Sequence, residues 1–302
     1  MSVSFNEQGI YDPPLHHCPL CGGSSTGRLH TIDRYDPPFA VDQCGDCGFI
    51  FMNPRFTPEV IRGFYGEEYF GGNAEYRYYD EREAENYARH VWKSRVAVIA
   101  KYAGGGNFLD IGCAFGGLLS VAGERFTPYG IEMSPYAGAH ARRLFGDHIH
   151  IGTLEDNPFR ESMFSVITMI EVLEHLADPV SAVKECRRLL RDGGLLVIQT
   201  ANMAGLQARI LKDRYAYFMP GHLSYFSKCN LIRLLADTGF SKIKAFHPVE
   251  FGLLPKLLKS RSSFRSPLDY RHWLRISLYH WLGKLRAGPL AATSSLVLYA
   301  FK

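Results

Sequence analysis

Residues 107–117 read Asn-Phe-Leu-Asp110-Ile-Gly112-Cys113-Ala114-Phe-Gly116-Gly117. A short apolar run ends in a carboxylate, then in a glycine-rich turn, and residues 117–125 continue with a helical pattern. Strand, glycine loop and helix in that order mark the first unit of a nucleotide-type sheet. Asp110 decides which kind of ligand the loop can serve. A carboxylate at the strand end repels a pyrophosphate and attracts an ammonium or sulfonium. The loop also carries Ala114 where the dinucleotide fingerprint has its middle glycine, and no Gly-Lys-Ser/Thr for cradling phosphates occurs.

Outward from this loop the pattern alternates. Strands are expected at 107–112, 128–132, 148–152, 164–172 and 195–201. Helices are expected at 88–102, 117–125, up to about 145, 178–191 (closed by Asp192-Gly193-Gly194) and 228–238. Such alternation predicts an α/β fold, a mostly parallel sheet with helices on both faces. Ligands of these sheets lie at the carboxyl ends of the central strands, so functional residues should follow positions 110, 132, 152 and 171. Glu132 ends the second strand, twenty residues past Gly112, where an acid accepts hydrogen bonds from both ribose hydroxyls. A ligand with a ribose, a cationic end and no phosphates is S-adenosylmethionine.

Taken together, these motifs resemble the class I S-adenosylmethionine-dependent methyltransferases over about residues 88–245. Asp110-x-Gly112-x-Ala114-x-Gly116 resembles the family's first motif and Tyr129-Gly-Ile-Glu132 its second. Gly152-Thr-Leu154-Glu155 resembles the third strand end, where a backbone amide and an acid contact the adenine. The segments ending in Glu171 and running through Gly193-Gly194 resemble the fourth strand and the approach to the fifth. The resemblance implies a Rossmann-like sheet whose last hairpin strand is antiparallel, with 242–249 and 294–301 as that hairpin. It implies S-adenosylmethionine contacts from Asp110, Gly112, Cys113, Ala114, Gly116, Glu132, Met133, Leu154, Glu155 and Glu171.

Seven cysteines in a chain with no visible secretory signal or membrane-spanning run point to reduced thiols and a cytoplasmic setting, so metal or burial comes before disulfides. Cys18, Cys21, Cys44 and Cys47 form C-x2-C-x22-C-x2-C, each pair followed by a glycine, Gly22 and Gly48. Glycine permits the positive φ of a knuckle whose amides face the sulfurs. Four thiolates close the sphere of one Zn²⁺ and leave no open position, so this zinc is expected to be structural. His16 and His17 read as spare polar residues. The segment, with Asn53-Pro54 after it, resembles the zinc-ribbon start of a subset of these enzymes, including those acting on sugars and natural products. The expected division is a zinc-ribbon segment 1–60, a methyltransferase domain 61–249 and 294–302, and an insert 250–293. Of the aromatic run Phe64, Tyr65, Tyr69, Phe70, Tyr76, Tyr78 and Tyr79, most are expected to pack and one or two to line a site.

Two constellations carry possible chemistry. Glu171-Val-Leu-Glu174-His175 resembles the Glu-x-x-Glu-His segment of ubiquinone-biosynthesis O-methyltransferases, which is associated with a divalent metal. The alternative is that Glu171 touches cofactor or substrate while Glu174 and His175 begin the next helix. His222, in Pro220-Gly-His222-Leu-Ser-Tyr-Phe-Ser227, is a general base or a structural histidine, and Ser227 is the expected N-cap of the helix after it. Cys186 and Cys229 read as buried.

The net charge of the 302-residue chain is only +4, with 46% hydrophobic and 21% charged residues, which excludes disorder and a molecule that is polyanion-binding throughout. Residues 242–302, however, hold eleven Lys and Arg against two acids, a local net of +9. Within the insert, Leu274, Leu278, Trp281, Leu282 and Leu285 share one helical face flanked by Arg271, Arg275, Lys284 and Arg286. Packing against the protein or a second subunit, contact with an anionic membrane, and nucleic acid are all open readings. The expected function is methylation of oxygen or carbon on a small-molecule, sugar or cell-envelope acceptor, in the cytoplasm or peripherally on the inner membrane face. The alternative is an RNA methyltransferase that grips nucleic acid with its zinc ribbon; the acids at Glu171 and Glu174 fit an RNA backbone poorly.

Overall fold

The computed structural model describes residues 9–64, 82, 85–287 and 290–302. Two sheets dominate it. The N-terminal one is built from β1 (Thr26–Ile32), β2 (Phe39–Cys44) and β3 (Ile50–Met52), all antiparallel. Its fourth strand, β9 (Ser224–Tyr225), comes from the far end of the chain and pairs with β3. The first sixty residues therefore share a sheet with the fold that follows them. Asn53 fastens the segment's turn: its side chain accepts from Leu15 N (2.7 Å) and donates to Asp42 Oδ2 (2.7 Å). Tyr65, Tyr69, Phe70, Tyr76, Tyr78 and Tyr79 lie outside the described residues. Phe64 packs edge-on against Phe56.

The second sheet has seven strands in the order β10-β11-β8-β7-β4-β5-β6. Strands β4 (Asn107–Ile111), β5 (Thr127–Glu132), β6 (Ile149–Ile151), β7 (Phe164–Ile170) and β8 (Leu190–Ala201) are mutually parallel. Strand β11 (Ser295–Phe301) runs antiparallel between β8 and β10 (Ser241–Phe246), as the hairpin expectation required. Phe164, Val166, Ile167 and Met169 are fully buried, which explains why β7 reads as a continuous apolar run. The expected helix stop at Asp192-Gly193-Gly194 takes another form. Helix α5 (Pro179–Leu189) ends earlier, and the three residues lie inside β8, where the pairing with β7 slips and Gly193 adopts φ 70°. Bonds to Lys302 tie them to the sheet: Lys302 N donates to Gly194 O at 3.0 Å, and Gly193 N donates to Lys302 O at 3.2 Å.

Helices flank the sheet: α2 (Glu85–Ile99), α3 (Gly117–Ala122), α4 (Pro135–Phe145) and α7 (Lys228–Asp237) beside α5, with the short α1 (Pro58–Phe64) and α6 (Leu206–Leu211) packed in the core of the smaller sheet. Helix α2 buries Ala88, Trp92, Arg95, Val96 and Ile99, spaced along one face. Ser227 caps α7 as expected. Its hydroxyl accepts from Asn230 N while Asn230 Oδ1 accepts from Ser227 N, a reciprocal capping box. Asn230 also donates from Nδ2 to Cys47 O at 2.9 Å, so one side chain ties the helix start to the second cysteine pair. Asn230→Ala should lower the free energy of unfolding by about 1–3 kcal/mol, since it removes half a cap and a buried hydrogen bond. Urea denaturation followed by circular dichroism measures the loss; an unchanged midpoint would refute the tie.

Candidate active site

The glycine loop leaves the end of β4 at the point where the strand order reverses between β4 and β7, the place where open α/β sheets bind ligands. Gly112 (φ 73°) and Gly116 (φ 85°) take left-handed backbone that other residues rarely adopt. A Cβ at Gly112 would lie 2.6 Å from Val172 Cγ2, and one at Gly116 would lie 2.6 Å from Phe145 Cε2. Ala114 (φ 46°) and Glu171 (φ 56°) share the unusual backbone without being glycine, so each of the two central strands ends in a strained residue or loop.

Two acids stand at the crevice. Asp110 is buried and its Oδ1 accepts the Thr168 hydroxyl at 2.6 Å. Glu132 is buried and clamped by backbone: Ala114 N donates to Oε2 (2.9 Å) and Ser134 N to Oε1 (2.8 Å). Burial raises its pKa, and these amides hold it down in part. A carboxylate oxygen accepts more than one hydrogen bond, so a clamped Glu132 can still take ribose hydroxyls. The backbone of Gly112 and Gly116, open to close approach, and the two fixed acids thus fit an adenosyl group with a cationic end. Met133 is exposed beside Glu132.

Other expected contacts are placed differently. Cys113 turns its sulfur into the core, where it fills the space a side chain at Gly130 would need, and its amide donates to Ile131 O. Leu154 is buried in the main core and Glu155 is exposed. The neighbouring Asp156 instead forms the turn, accepting from Thr153 N at 2.7 Å.

Glu174, His175 and His222 come together from two separate loops, with one donor atom of each within 4.8 Å of the others. His175 Nδ1 donates to Gly221 O (2.8 Å) and His222 Nδ1 to Tyr217 O (2.9 Å). A carbonyl only accepts, so both rings carry the proton on Nδ1 and Nε2 is the lone-pair nitrogen. Burial keeps both imidazoles neutral: His175 is pushed down to about 4, and His222 falls well below its ordinary value, with His175 adding to the effect. Among the described residues neither oxygen of the buried Glu174 has a partner in hydrogen-bonding geometry, although Glu171 and Thr200 lie beside it. Burial first, and the Glu171 charge second, raise its pKa strongly. Two neutral imidazoles held by carbonyls and an unsatisfied buried carboxylate form a donor set that fits one divalent cation.

Glu171 itself is fixed by residues the sequence reading missed. Gln199 Nε2 donates to Glu171 Oε1 at 2.7 Å, Arg95 donates to Gln199 Oε1, and Arg95 pairs with Glu250 at 3.1 Å inside the protein. The available signal was polarity in the wrong place: Thr168 and Gln199 interrupt apolar strands, and Arg95 lies on the buried face of α2.

The four N-terminal cysteines also meet. Cys18 and Cys47 sulfurs are 3.7 Å apart, as are those of Cys21 and Cys44, and all four lie within 4.8 Å of one another. These separations exceed a disulfide bond and match the roughly 3.8 Å edge of a tetrahedron with Zn–S bonds of about 2.3 Å. Gly22 (φ 73°) and Gly48 (φ 71°) turn each knuckle, donating to Cys18 O and Cys44 O at 2.9 Å. Neither His16 nor His17 joins this cluster among the described residues.

Residues 84–245, more than half of the chain, match the methyltransferase domain family. The chain belongs to this family. A ubiquinone biosynthesis O-methyltransferase of Pseudomonas aeruginosa is 35% identical over 138 residues, covering 42% of this chain and 59% of the relative. A Mycolicibacterium smegmatis protein named as an S-adenosylmethionine-dependent methyltransferase is 28% identical over 177 residues, 58% of this chain and 64% of that one. The chain thus spans about three-fifths of the length of the curated relatives it matches. A solved SAM-dependent methyltransferase from Archaeoglobus fulgidus superposes with a TM-score of 0.47 at 17% identity, covering 71% of this chain and 94% of that one.

In this methyltransferase-family loop, Gly116→Ala should destabilise the protein by about 1–3 kcal/mol, because it adds both a left-handed alanine and a clash with Phe145. Thermal or urea unfolding of the ligand-free variant tests this, and wild-type stability would contradict the geometry.

Proposed function

We propose that this protein transfers a methyl group from S-adenosylmethionine to a hydroxyl of a small-molecule acceptor, assisted by a divalent cation at Glu174, His175 and His222. The observation that carries the reading is the pair of immobilised carboxylates, Asp110 and Glu132, at the open ends of adjacent parallel strands in a chain of the methyltransferase domain family. The names of the relatives favour oxygen as the acceptor atom.

When bound, S-adenosylmethionine supplies a methyl on a sulfonium, so alignment with the acceptor matters more than activation of the donor. A divalent cation supplies Lewis acidity that lowers the pKa of an acceptor hydroxyl. Asp110 faces the donor's cationic end and Glu132 takes the ribose. Met133, exposed beside Glu132, borders the adenine, and the Gly112–Gly116 loop lets the ligand approach the backbone. Gln199 and Arg95 hold Glu171 between the donor and the cation site. His175 and His222 offer Nε2 to the cation, oriented by the carbonyls of Gly221 and Tyr217. His222 is in this reading a ligand; with so depressed a pKa it is a poor base at neutral pH. With donor and acceptor bound, the acceptor oxygen would take the methyl, the broken bond's electron pair would stay on the donor sulfur, and the hydroxyl proton would leave to solvent.

The same reading assigns a structural zinc to Cys18, Cys21, Cys44 and Cys47, and divides the chain into segments 1–60, 61–249 with 294–302, and 250–293. Cys44→Ser should remove the zinc detected by metal analysis. It should also raise hydrogen exchange at 222–227, since β9 is paired to the strand that follows Cys44. Exchange confined to the first sixty residues would refute that linkage.

Calorimetry should detect S-adenosylmethionine binding, and Glu132→Ala should weaken it by about tenfold or more. Incubation with a panel of phenols and nucleotide sugars should release S-adenosylhomocysteine in a cation-dependent way. His222→Ala should cut that turnover by about a hundredfold or more, lose cation binding, and leave the donor's Kd unchanged. Absence of donor binding overturns the whole reading. Donor binding with chelator-insensitive turnover overturns the cation assignment, and salt-dependent methylation of RNA overturns the acceptor class.

A further inference from the structure

The insert does not pack its apolar stripe inward. Helix α9 (Arg271–Leu282), which follows α8 (Leu254–Ser260), buries His280 and half-buries Trp273, Ile276 and Tyr279. Leu274, Leu278, Trp281 and Leu285 remain 73%, 58%, 59% and 64% exposed. Their spacing puts them on one outward face. On the same helical geometry Arg271 and Arg275 form one rim of the stripe. Lys284 stands over the Trp281 ring, its Nζ 4.3 Å from the centroid. No acid lies within α9, and the surrounding segment 242–302 carries the local net charge of +9. Burial of polar groups and exposure of leucines is the reverse of what a helix packed on its own core shows.

A second exposed apolar helix adjoins it. Ser294 N donates to the Tyr279 hydroxyl of α9 (3.0 Å), and Ser294 Oγ bonds Gln207 Oε1 of α6 (2.7 Å). Leu206, Ile210 and Leu211 of α6 are themselves exposed.

We propose that the α9 face docks on the surface of an anionic phospholipid bilayer. The leucines and Trp281 would enter the headgroup–acyl boundary, with Arg271, Arg275 and Lys284 meeting lipid phosphates. Charge selects this occupant. A second copy would bring the same cationic stripe against itself in a two-fold pair, and an anionic bilayer answers both the positive rim and the exposed leucines. Among the described residues no helix is long and apolar enough to cross a membrane, so the contact is peripheral.

The test is flotation of the full-length protein with phosphatidylcholine vesicles, with and without phosphatidylglycerol. Partitioning should be at least about tenfold greater with the anionic lipid and should fall at high salt. Indole emission should shift to the blue on binding in wild type and not in Trp281→Phe. Leu278→Glu, and separately Arg271→Glu with Arg275→Glu, should each abolish flotation. Because these positions are exposed, the variants should keep the wild-type thermal midpoint. Equal partitioning into both vesicle types, or binding that survives both variants, overturns the proposal. A sedimenting dimer dissolved by Leu278→Glu overturns it in favour of a second copy. Binding to an acidic polypeptide but not to vesicles overturns it in favour of an acidic protein.

Discussion

Leu223 joins three parts of the molecule through its backbone alone. Its N–H donates to Glu174 O at 2.8 Å, and its carbonyl accepts from Met52 N at 3.0 Å. One neighbour in sequence is His222; the other, Ser224, opens the strand that pairs with β3. The turn carrying Glu174 and His175, the loop carrying His222 and the sheet built around the cysteine knuckles are therefore held in register by one residue. Buried backbone groups must be paired somewhere, and here that requirement fixes the distance between two candidate metal sites. The Asn230 bond to Cys47 O provides a second tie between the same parts.

Cost and constraint are unevenly spread over the fold. The parallel strands are apolar, buried and regular. Left-handed backbone at Ala114 and Glu171, an unsatisfied carboxylate at Glu174 and a clamped acid at Glu132 all gather at the crevice where β4 and β7 end. A fold relieves such features unless the surrounding structure over-determines them. Here the Arg95–Gln199–Glu171 chain and the carbonyls of Gly221 and Tyr217 do so, which is what a preorganised site needs: side chains already aimed before a ligand arrives.

The parts of the fold legible in the sequence were those with a local signal. Apolar runs with glycine ends marked the parallel strands, Ser227 marked its helix, and paired cysteines with following glycines marked the knuckles. Asp192-Gly193-Gly194 misled because glycine serves a strand bulge as well as a helix stop, and only pairing with Lys302 distinguishes them. Cys113 lay within the glycine loop in sequence, yet its sulfur belongs to the core beneath Gly130. The insert's leucines showed a helical period, but a period does not say which side faces the protein.

By itself the sequence determined the element order, the glycine loop with its two acids, and the pairing of cysteines, because each depends on residues close together in the chain. Tertiary structure alone decided that His222 meets Glu174 and His175 across some fifty residues, that Gln199 and Arg95 hold Glu171, and that the α9 stripe faces outward. Those outcomes depend on which backbone groups of distant loops find partners and which faces are left once the sheet is covered, and no local spacing encodes either.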